Sequence, residues 1–129
     1  MSINETVSIA FGAILNGRAI SDEQIRSTQN PMELREPESL LRVVPCYIQY
    51  CIDYPQDDSL VAYCTINAIA EYGRCKDPSD SYLNFKFLCN EQQRLAVAEF
   101  LVWANGPPHF EDETQIRRAV RNWRKTHGV

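Results

Sequence analysis

The pattern of apolar and polar residues is clearest between Asn90 and Pro108. Asn90 is a favourable N-cap residue, and Gln93 stands where its side chain can complete a capping box. The following run, Leu95–Ala104, carries one charge in ten residues, and 105–108 (Asn-Gly-Pro-Pro) then forms a stop signal. We predict a helix that ends near Asn105. Because its apolar positions cover well over half of the circumference, we expect it in the core.

Three further segments show helical signals. Ser2 and Glu5 have capping-box spacing, and the apolar positions that follow predict a first helix over Ile3–Leu15. A last helix is predicted over Asp112–Lys125, where acidic residues begin the segment and basic residues end it. The capping signal at Ser21 is followed by only one apolar residue before a polar stretch, so it predicts one short helical turn and then a loop.

The segment Glu38–Tyr54 is apolar and aromatic but contains Pro45. It is either a helix over Glu38–Val43 followed by a new helix that begins at Pro45, or one kinked helix. The first is favoured because a proline inside a helix removes a backbone hydrogen-bond donor and clashes with the preceding turn, which costs free energy. Leu60–Tyr72 is predicted as a further helix stopped by Gly73, with a strand as the alternative for part of it.

The segment Tyr82–Phe87 alternates like a strand, but the chain offers no second convincing strand to pair with it. We interpret it as an extended lead-in to the Asn90 helix. The fold class predicted is all-α, with residues 1–129 forming one compact domain of about five helices. One short extended segment near 82–87 is compatible with this prediction.

Composition describes an ordinary globular chain that lacks the signals of export. Among its 129 residues, 44% are hydrophobic and 23% charged, and no run approaches the roughly 20 apolar residues of a membrane span. The N-terminus has no basic start and apolar run typical of a signal peptide. The five cysteines are odd in number and mostly lie in apolar surroundings, which favours reduced thiols. We therefore expect a cytoplasmic location without membrane association.

Charge is unevenly distributed along the chain. Residues 110–129 carry a net +2 and residues 1–109 a net −6, within the total of −4. The segment Asp22–Asp58 alone carries −5. Such a region attracts a basic partner and repels nucleic acid.

The sequence contains few signals of catalysis or of metal and cofactor binding. The only histidines are His109 and His127, and no short-spaced His or Cys pair suits a metal. A Cys nucleophile with a His base stays open only because such partners are distant in sequence. The acidic pairs Asp57-Asp58 and Asp77/Asp80 are typical of turns and caps, and the glycines are isolated. We predict no catalytic residue, metal or cofactor, and favour a non-catalytic protein over an enzyme.

Two surfaces could bind a partner. On a helix over Cys46–Tyr54 the tyrosines share one side, and with the neighbouring acids they form the candidate partner-binding set Tyr47, Tyr50, Asp53, Tyr54, Asp57 and Asp58. The favoured alternative for the tyrosines is a half-buried helix face whose hydroxyls reach water. In the last helix, the basic residues oppose an apolar stripe of Ile116, Val120 and Trp123 and could contact phosphates. A solvated helix face is the favoured interpretation there. The basic residues concerned are Arg117, Arg118, Arg121, Arg124 and Lys125.

Four motifs together resemble those of a family of small bacterial cytosolic proteins of unknown function. They are Ala10-Phe11, the proline-containing segment Arg42–Tyr47, the pairs Phe87-Leu88, Glu91-Gln92 and Phe100-Leu101, and the terminal Asn122-Trp123. The chain departs from the family pattern at Val43–Tyr47, where that pattern has aromatic-Leu-Pro-Ala-aromatic. Some such proteins resemble immunity or accessory proteins found near toxin genes, and the resemblance implies no catalytic residues.

These observations lead to one functional hypothesis and two alternatives. The first is a non-catalytic bacterial protein that binds a protein partner, such as an immunity or inhibitor protein for a basic partner. A small enzyme with a Cys/His or carboxylate site is one alternative. Nucleic-acid binding through the basic C-terminal helix is the other, and the acidic body of the chain disfavours it. The sequence leaves the oligomeric state open.

Overall fold

The computed structural model describes residues 1–34, 39–105 and 113–125, and all regular secondary structure in these ranges is helical. The all-α prediction is therefore confirmed, with seven α-helices in the described residues rather than about five. Five helices have 12 to 14 residues and two are shorter. They are α1 (Ile3–Asn16), α2 (Asp22–Thr28), α3 (Leu40–Asp53), α4 (Val61–Arg74), α5 (Phe85–Leu88), α6 (Glu91–Ala104) and α7 (Glu113–Arg124), with one 3₁₀ turn at Pro31–Glu33.

The five long helices surround one apolar core. Helix α6 packs between α1 and α7, α3 joins α1 to α4, and α4 closes the ring against α7. Phe85, from the single-turn helix α5, lies at the centre of this ring and is fully buried. Its aromatic ring is 6.5 Å from that of Phe11, 5.7 Å from that of Tyr72 and 5.6 Å from that of Trp123, measured between centroids. One short helix thus ties α1, α4 and α7 together.

The contact between α4 and α7 depends on a glycine. The indole Nε1 of Trp123 donates a hydrogen bond to the Ile69 carbonyl at 2.8 Å, within the buried core. A Cβ atom at Gly73 would lie 2.8 Å from that nitrogen and 2.9 Å from Cδ1 of the same ring. Gly73 therefore belongs to the helix and permits the close approach of Trp123, whereas the sequence had predicted it as a helix stop.

Helix α3 is continuous through Pro45, so the favoured prediction of two helices is wrong. A proline inside a helix removes one backbone hydrogen bond and costs about 3 kcal/mol. Nine residues of α3, on both sides of the proline and including Pro45 itself, are buried in the core. Burial of each large apolar side chain contributes about 1.5–3 kcal/mol, so packing of the whole helix outweighs the loss at one position.

Two other segments differ from their predictions. The predicted extended lead-in at 82–87 is a turn followed by α5, because the apolar Phe85 turns inward to the centre of the ring rather than pairing in a sheet. The single turn predicted after Ser21 is the seven-residue helix α2. Its capping box, formed by Ser21 and Gln24, and the left-handed conformation of Gln29 (φ 63°) fix its two ends. Residues Val61–Arg74 form the continuous helix α4, so the alternative of a strand in part of Leu60–Tyr72 is wrong.

The predicted α6 helix is confirmed, including the capping box between Asn90 and Gln93. Gln93 also donates from Nε2 to the Ala10 carbonyl at 3.2 Å, which connects α6 to α1. The apolar face is narrower than the sequence indicates, since Leu95 and Val102 are 48% and 47% exposed. The predicted stop at 106–108 lies outside the described residues.

Candidate functional site

The strongest candidate site lies where α2 meets the C-terminal end of α3. Asp22 and Arg26 stand one turn apart on α2, while Tyr50 lies in the last turn of α3 and Tyr54 is the C-cap residue that follows it. The loop between α3 and α4 adds Asp57. We call these residues, together with Asp53 beside them, the acidic–aromatic surface. They are Asp22, Arg26, Tyr50, Asp53, Tyr54 and Asp57.

Asp57 organises the loop that follows α3. Its Oδ2 accepts a hydrogen bond from the Tyr50 hydroxyl at 2.6 Å, and its Oδ1 accepts one from the Ser59 backbone N–H at 2.9 Å. The hydrogen bonds from Tyr50 and from the Ser59 backbone favour the ionised form and lower the pKa of Asp57. Burial, together with donation to a carboxylate, raises the pKa of Tyr50 to about 12. Tyr50 therefore stays a neutral donor at physiological pH.

A second tyrosine–carboxylate pair lies beside the first. The Tyr54 hydroxyl donates to Oδ2 of Asp22 at 2.8 Å, and Arg18 donates to Oδ1 of Asp22 at 2.8 Å. Partial burial acts to raise the pKa of Asp22, but the hydrogen bonds from Arg18 and Tyr54 prevail and lower it. Donation to Asp22 raises the pKa of Tyr54. Hydrogen bonds thus favour the ionised form of both carboxylates: those from Tyr50 and the Ser59 backbone at Asp57, and those from Arg18 and Tyr54 at Asp22.

The Arg26 guanidinium lies over the two tyrosine rings of this surface, those of Tyr50 and Tyr54. The guanidinium carbon of Arg26 lies 5.6 Å from the Tyr50 ring centroid and 5.5 Å from that of Tyr54. The two rings are 4.7 Å apart and tilted by 42°, so they form a shallow wedge. Both distances fall within the range of cation–π interactions. The surface therefore has geometry suited to a guanidinium group.

All residues of the acidic–aromatic surface except Asp22 line an open pocket of about 470 Å³. Pro55 and Gln56 complete the lining. Asp53 and Tyr54 are exposed there, whereas Tyr50 is buried and Arg26 lies over the rings of both tyrosines. The pocket therefore presents carboxylates and the partly exposed ring of Tyr54 to another molecule.

The structure brings some of the predicted partner-binding residues together and separates others. Tyr47 is fully buried, and its hydroxyl shares a 2.6 Å hydrogen bond with Thr28 Oγ1, so it is not part of the accessible surface. Tyr50 is 2% exposed, whereas Tyr54 is 39% exposed. Asp53 is exposed and accepts a hydrogen bond from Gln49 at 2.9 Å, and Asp58 is exposed on the adjoining loop.

Sequence reasoning missed Asp22 and Arg26. Both precede the polar stretch that was interpreted as a loop, yet the Ser21 capping box and the i, i+4 spacing of the two charges are a signal for one exposed helix face. Their contact with Tyr54, 32 positions later in the chain, could not be found from spacing.

A second concave feature lies between α6 and α7, and we call it the α6–α7 groove. It has a volume of about 580 Å³ and combines an apolar floor with four cationic side chains. Its described lining residues are Val102, Asn105, Ile116, Arg117, Val120, Arg121, Arg124 and Lys125.

The cysteines on which the enzyme alternative depends differ in burial, and Cys64 and Cys75 are partly exposed. Cys46, Cys51 and Cys89 are buried, and burial raises the pKa of Cys51 and of Cys89 to about 12, which disfavours the nucleophilic thiolate. Neither pocket described above has a cysteine among its lining residues. His109 and His127 lie outside the described residues, so the Cys/His pairing stays a prediction.

Within the part of the chain that the structure describes, no three His, Cys, Asp or Glu side chains form a group able to hold a metal ion. Nor do those residues include a helix with the length and apolar character that a membrane crossing requires. Comparison of the chain with protein-family models, with curated proteins and with solved structures finds no match. The family resemblance noted in the sequence therefore stays a prediction, and functional argument rests on the geometry.

Proposed function

We propose that this chain is a non-catalytic protein-binding protein whose acidic–aromatic surface binds a basic side chain of a protein partner. The observation that carries the proposal is the position of Arg26 over the rings of Tyr50 and Tyr54. We expect an arginine or lysine presented by a partner to displace Arg26 from these two rings and to pair with the carboxylates around them.

Charge supports the choice of a basic partner. Asp53 is exposed in this surface, Asp58 is exposed on the loop that adjoins it, and the segment Asp22–Asp58 carries a net −5. Charges at the rim of an interface accelerate association with an oppositely charged partner, and their effect weakens as salt is added. Tyrosine adds contact area at a small entropic cost.

The finer assignment within this proposal is a bacterial, cytoplasmic immunity or inhibitor protein. Its support is the resemblance described above together with an acidic binding surface, which suits the capture of a basic toxin or enzyme. If a gene for a basic toxin adjoins the gene for this chain, binding to that toxin is the direct test. A partner without toxic activity would retain the binding function and reject the immunity role.

The test begins with identification of the partner by affinity purification and mass spectrometry from the native cell. Its affinity is then measured by titration calorimetry for the wild-type protein and for the double variant Asp53→Asn/Asp58→Asn. Both positions are exposed, so we expect little change in stability. We expect roughly tenfold weaker binding and a smaller dependence on salt.

A matched control removes two exposed carboxylates elsewhere, in the double variant Glu71→Gln/Glu91→Gln. It changes the net charge by the same amount but leaves the acidic–aromatic surface intact. Equal weakening in both double variants would mean that only the overall charge matters. An unchanged affinity in the Asp53/Asp58 variant would refute the proposed surface.

A further inference from the structure

Helices α6 and α7 present a combination of apolar and basic groups that the proposed function does not use. Val102 is 47% exposed at the floor of the α6–α7 groove, beside the buried side chains of Ile116 and Val120. Four cationic side chains line the same groove, and none of its eight described lining residues is acidic. On the α6 side, Glu99 lies 3.7 Å from Arg124.

The cations form a ladder along α7. Arg117, Arg121 and Arg124 follow one another at intervals of four and three residues, so they lie along one side of the helix. The rise of a helix places the first and last about 10.5 Å apart along the axis. Carboxylates at the same intervals on another helix have the same rise, which allows each to face one arginine.

We propose that the α6–α7 groove binds an acidic amphipathic helix of a protein partner. Apolar side chains of that helix cover Val102 and the groove floor, while glutamates or aspartates on its flank pair with the arginine ladder of α7. This site is separate from the acidic–aromatic surface, and its ligand has the opposite charge. Helix-in-groove binding of this kind uses apolar anchors at i, i+3, i+4 and i+7.

The composition of the groove favours a protein helix over nucleic acid. Single-stranded nucleic acid is bound through aromatic side chains on which bases stack, and none of the eight described residues that line the groove is aromatic. Phosphates would satisfy the arginines but would leave the apolar floor uncovered. The net −6 of residues 1–109 also opposes a polyanion that extends beyond the groove.

The experiment uses a fluorescein-labelled peptide of about 15 residues with leucines at helical i, i+3, i+4 and i+7 spacing and glutamates between them. Fluorescence anisotropy is recorded with the full-length protein at about 50 mM salt. Two control peptides replace every glutamate by lysine or every leucine by serine, and an oligothymidine of similar length tests nucleic acid. We expect only the leucine–glutamate peptide to bind.

Variants then locate the binding site on the protein. Arg121→Gln and Val102→Ser remove one cation and one apolar contact from the groove, and we expect each to weaken binding by about five- to tenfold. Arg118→Gln and Leu95→Ser are the matched controls, since Arg118 is exposed on α7, Leu95 is 48% exposed on α6, and neither lines the groove. We expect binding by both controls to match the wild type.

Three outcomes would overturn the proposal. Binding of oligothymidine at least as tight as that of the peptide would assign the ladder to phosphates. Self-association that disappears in Arg121→Gln, seen by sedimentation, would make a second copy of this chain the occupant. An absence of peptide binding, or equal weakening by Arg118→Gln and Arg121→Gln, would reject a specific site. None of these results bears on the acidic–aromatic surface, whose test uses other residues.

Discussion

The acidic–aromatic surface and the α6–α7 groove differ in how their charges are balanced. In the first, Asp22 and Asp57 each accept a hydrogen bond from a tyrosine hydroxyl, and Arg26 lies over the rings of those same tyrosines. In the second, four cations lie beside apolar side chains, and none of the described lining residues is acidic. The first surface is stabilised by contacts within the chain, and the described lining of the second carries only positive charges.

This difference predicts where substitutions act. Removal of Asp22 or Asp57 from the acidic–aromatic surface leaves a tyrosine hydroxyl without its acceptor, so the free energy of unfolding falls. A cation removed from the exposed rim of the α6–α7 groove leaves a solvated helix face, so stability changes little and binding changes more. The groove depends for its stability on the core contacts that hold α7 in place.

The largest expected effect is that of Trp123→Ala. Trp123 is fully buried and connects α7 to α4 and α5, so we expect a loss of about 3–5 kcal/mol in the free energy of unfolding. Urea unfolding measures it, with Trp103→Ala as the control because Trp103 is only partly buried. A loss in Trp123→Ala no greater than in the control would contradict the anchoring role.

A smaller change in stability is expected when either of two helical glycines is replaced by alanine, and the two changes should have opposite signs. Gly73→Ala forces a Cβ against the indole of Trp123, and we expect it to destabilise the protein by about 1–3 kcal/mol. Gly12→Ala meets nothing within 4 Å, so the better helix propensity of alanine should stabilise the protein by about 0.5–1 kcal/mol. Thermal unfolding followed by circular dichroism compares them. A stabilising Gly73→Ala would show that α7 can shift away without loss.

Asp57→Asn should cost about 1–2 kcal/mol, because the amide cannot accept all the hydrogen bonds that the carboxylate receives from Tyr50 and Ser59. The lowered pKa of Asp57 stabilises the fold above the unfolded-state pKa of 3.8, and this contribution is lost as pH falls through the folded-state pKa. Urea unfolding near neutral pH and at about pH 3 should therefore show a smaller acid-induced loss in Asp57→Asn than in the wild type.

The neighbouring Asp58 provides the control for that measurement, since it is exposed and belongs to the same loop. We expect Asp58→Asn to change the free energy of unfolding by less than about 0.5 kcal/mol and to retain the acid-induced loss of the wild type. If both variants behaved alike, the hydrogen bonds of Asp57 would not contribute to the free energy of unfolding or to its loss in acid.

The smallest expected effect is that of Arg124→Gln at the α6–α7 groove. The guanidinium of Arg124 is 3.7 Å from Glu99, and both side chains are more than half exposed. An exposed ion pair of this kind contributes less than about 0.5 kcal/mol, so stability should hardly change. Chemical denaturation tests this value. A loss above about 1 kcal/mol would mean that the groove, too, is stabilised by its own charges.

Local signals in the sequence predicted the parts of the fold that depend on local hydrogen bonds. The capping box of Asn90 and Gln93 fixed the start of α6, and the cap at Ser2 fixed the start of α1. The candidate surface was predicted less well. Tyr54 and Asp53 are accessible as expected, but Tyr47 is buried, and the helical spacing of the tyrosines could not tell which of them face the core.

The sequence by itself determined an all-helical chain, the N-terminal ends of α1 and α6 and an acidic segment followed by a basic end, because capping, helical periodicity and charge are properties of neighbouring residues. Only the tertiary structure decided that α3 continues through Pro45, that Gly73 admits Trp123, and that Arg26 meets Tyr50 and Tyr54. These features depend on contacts between residues far apart in sequence, where packing in the core outweighs local preference.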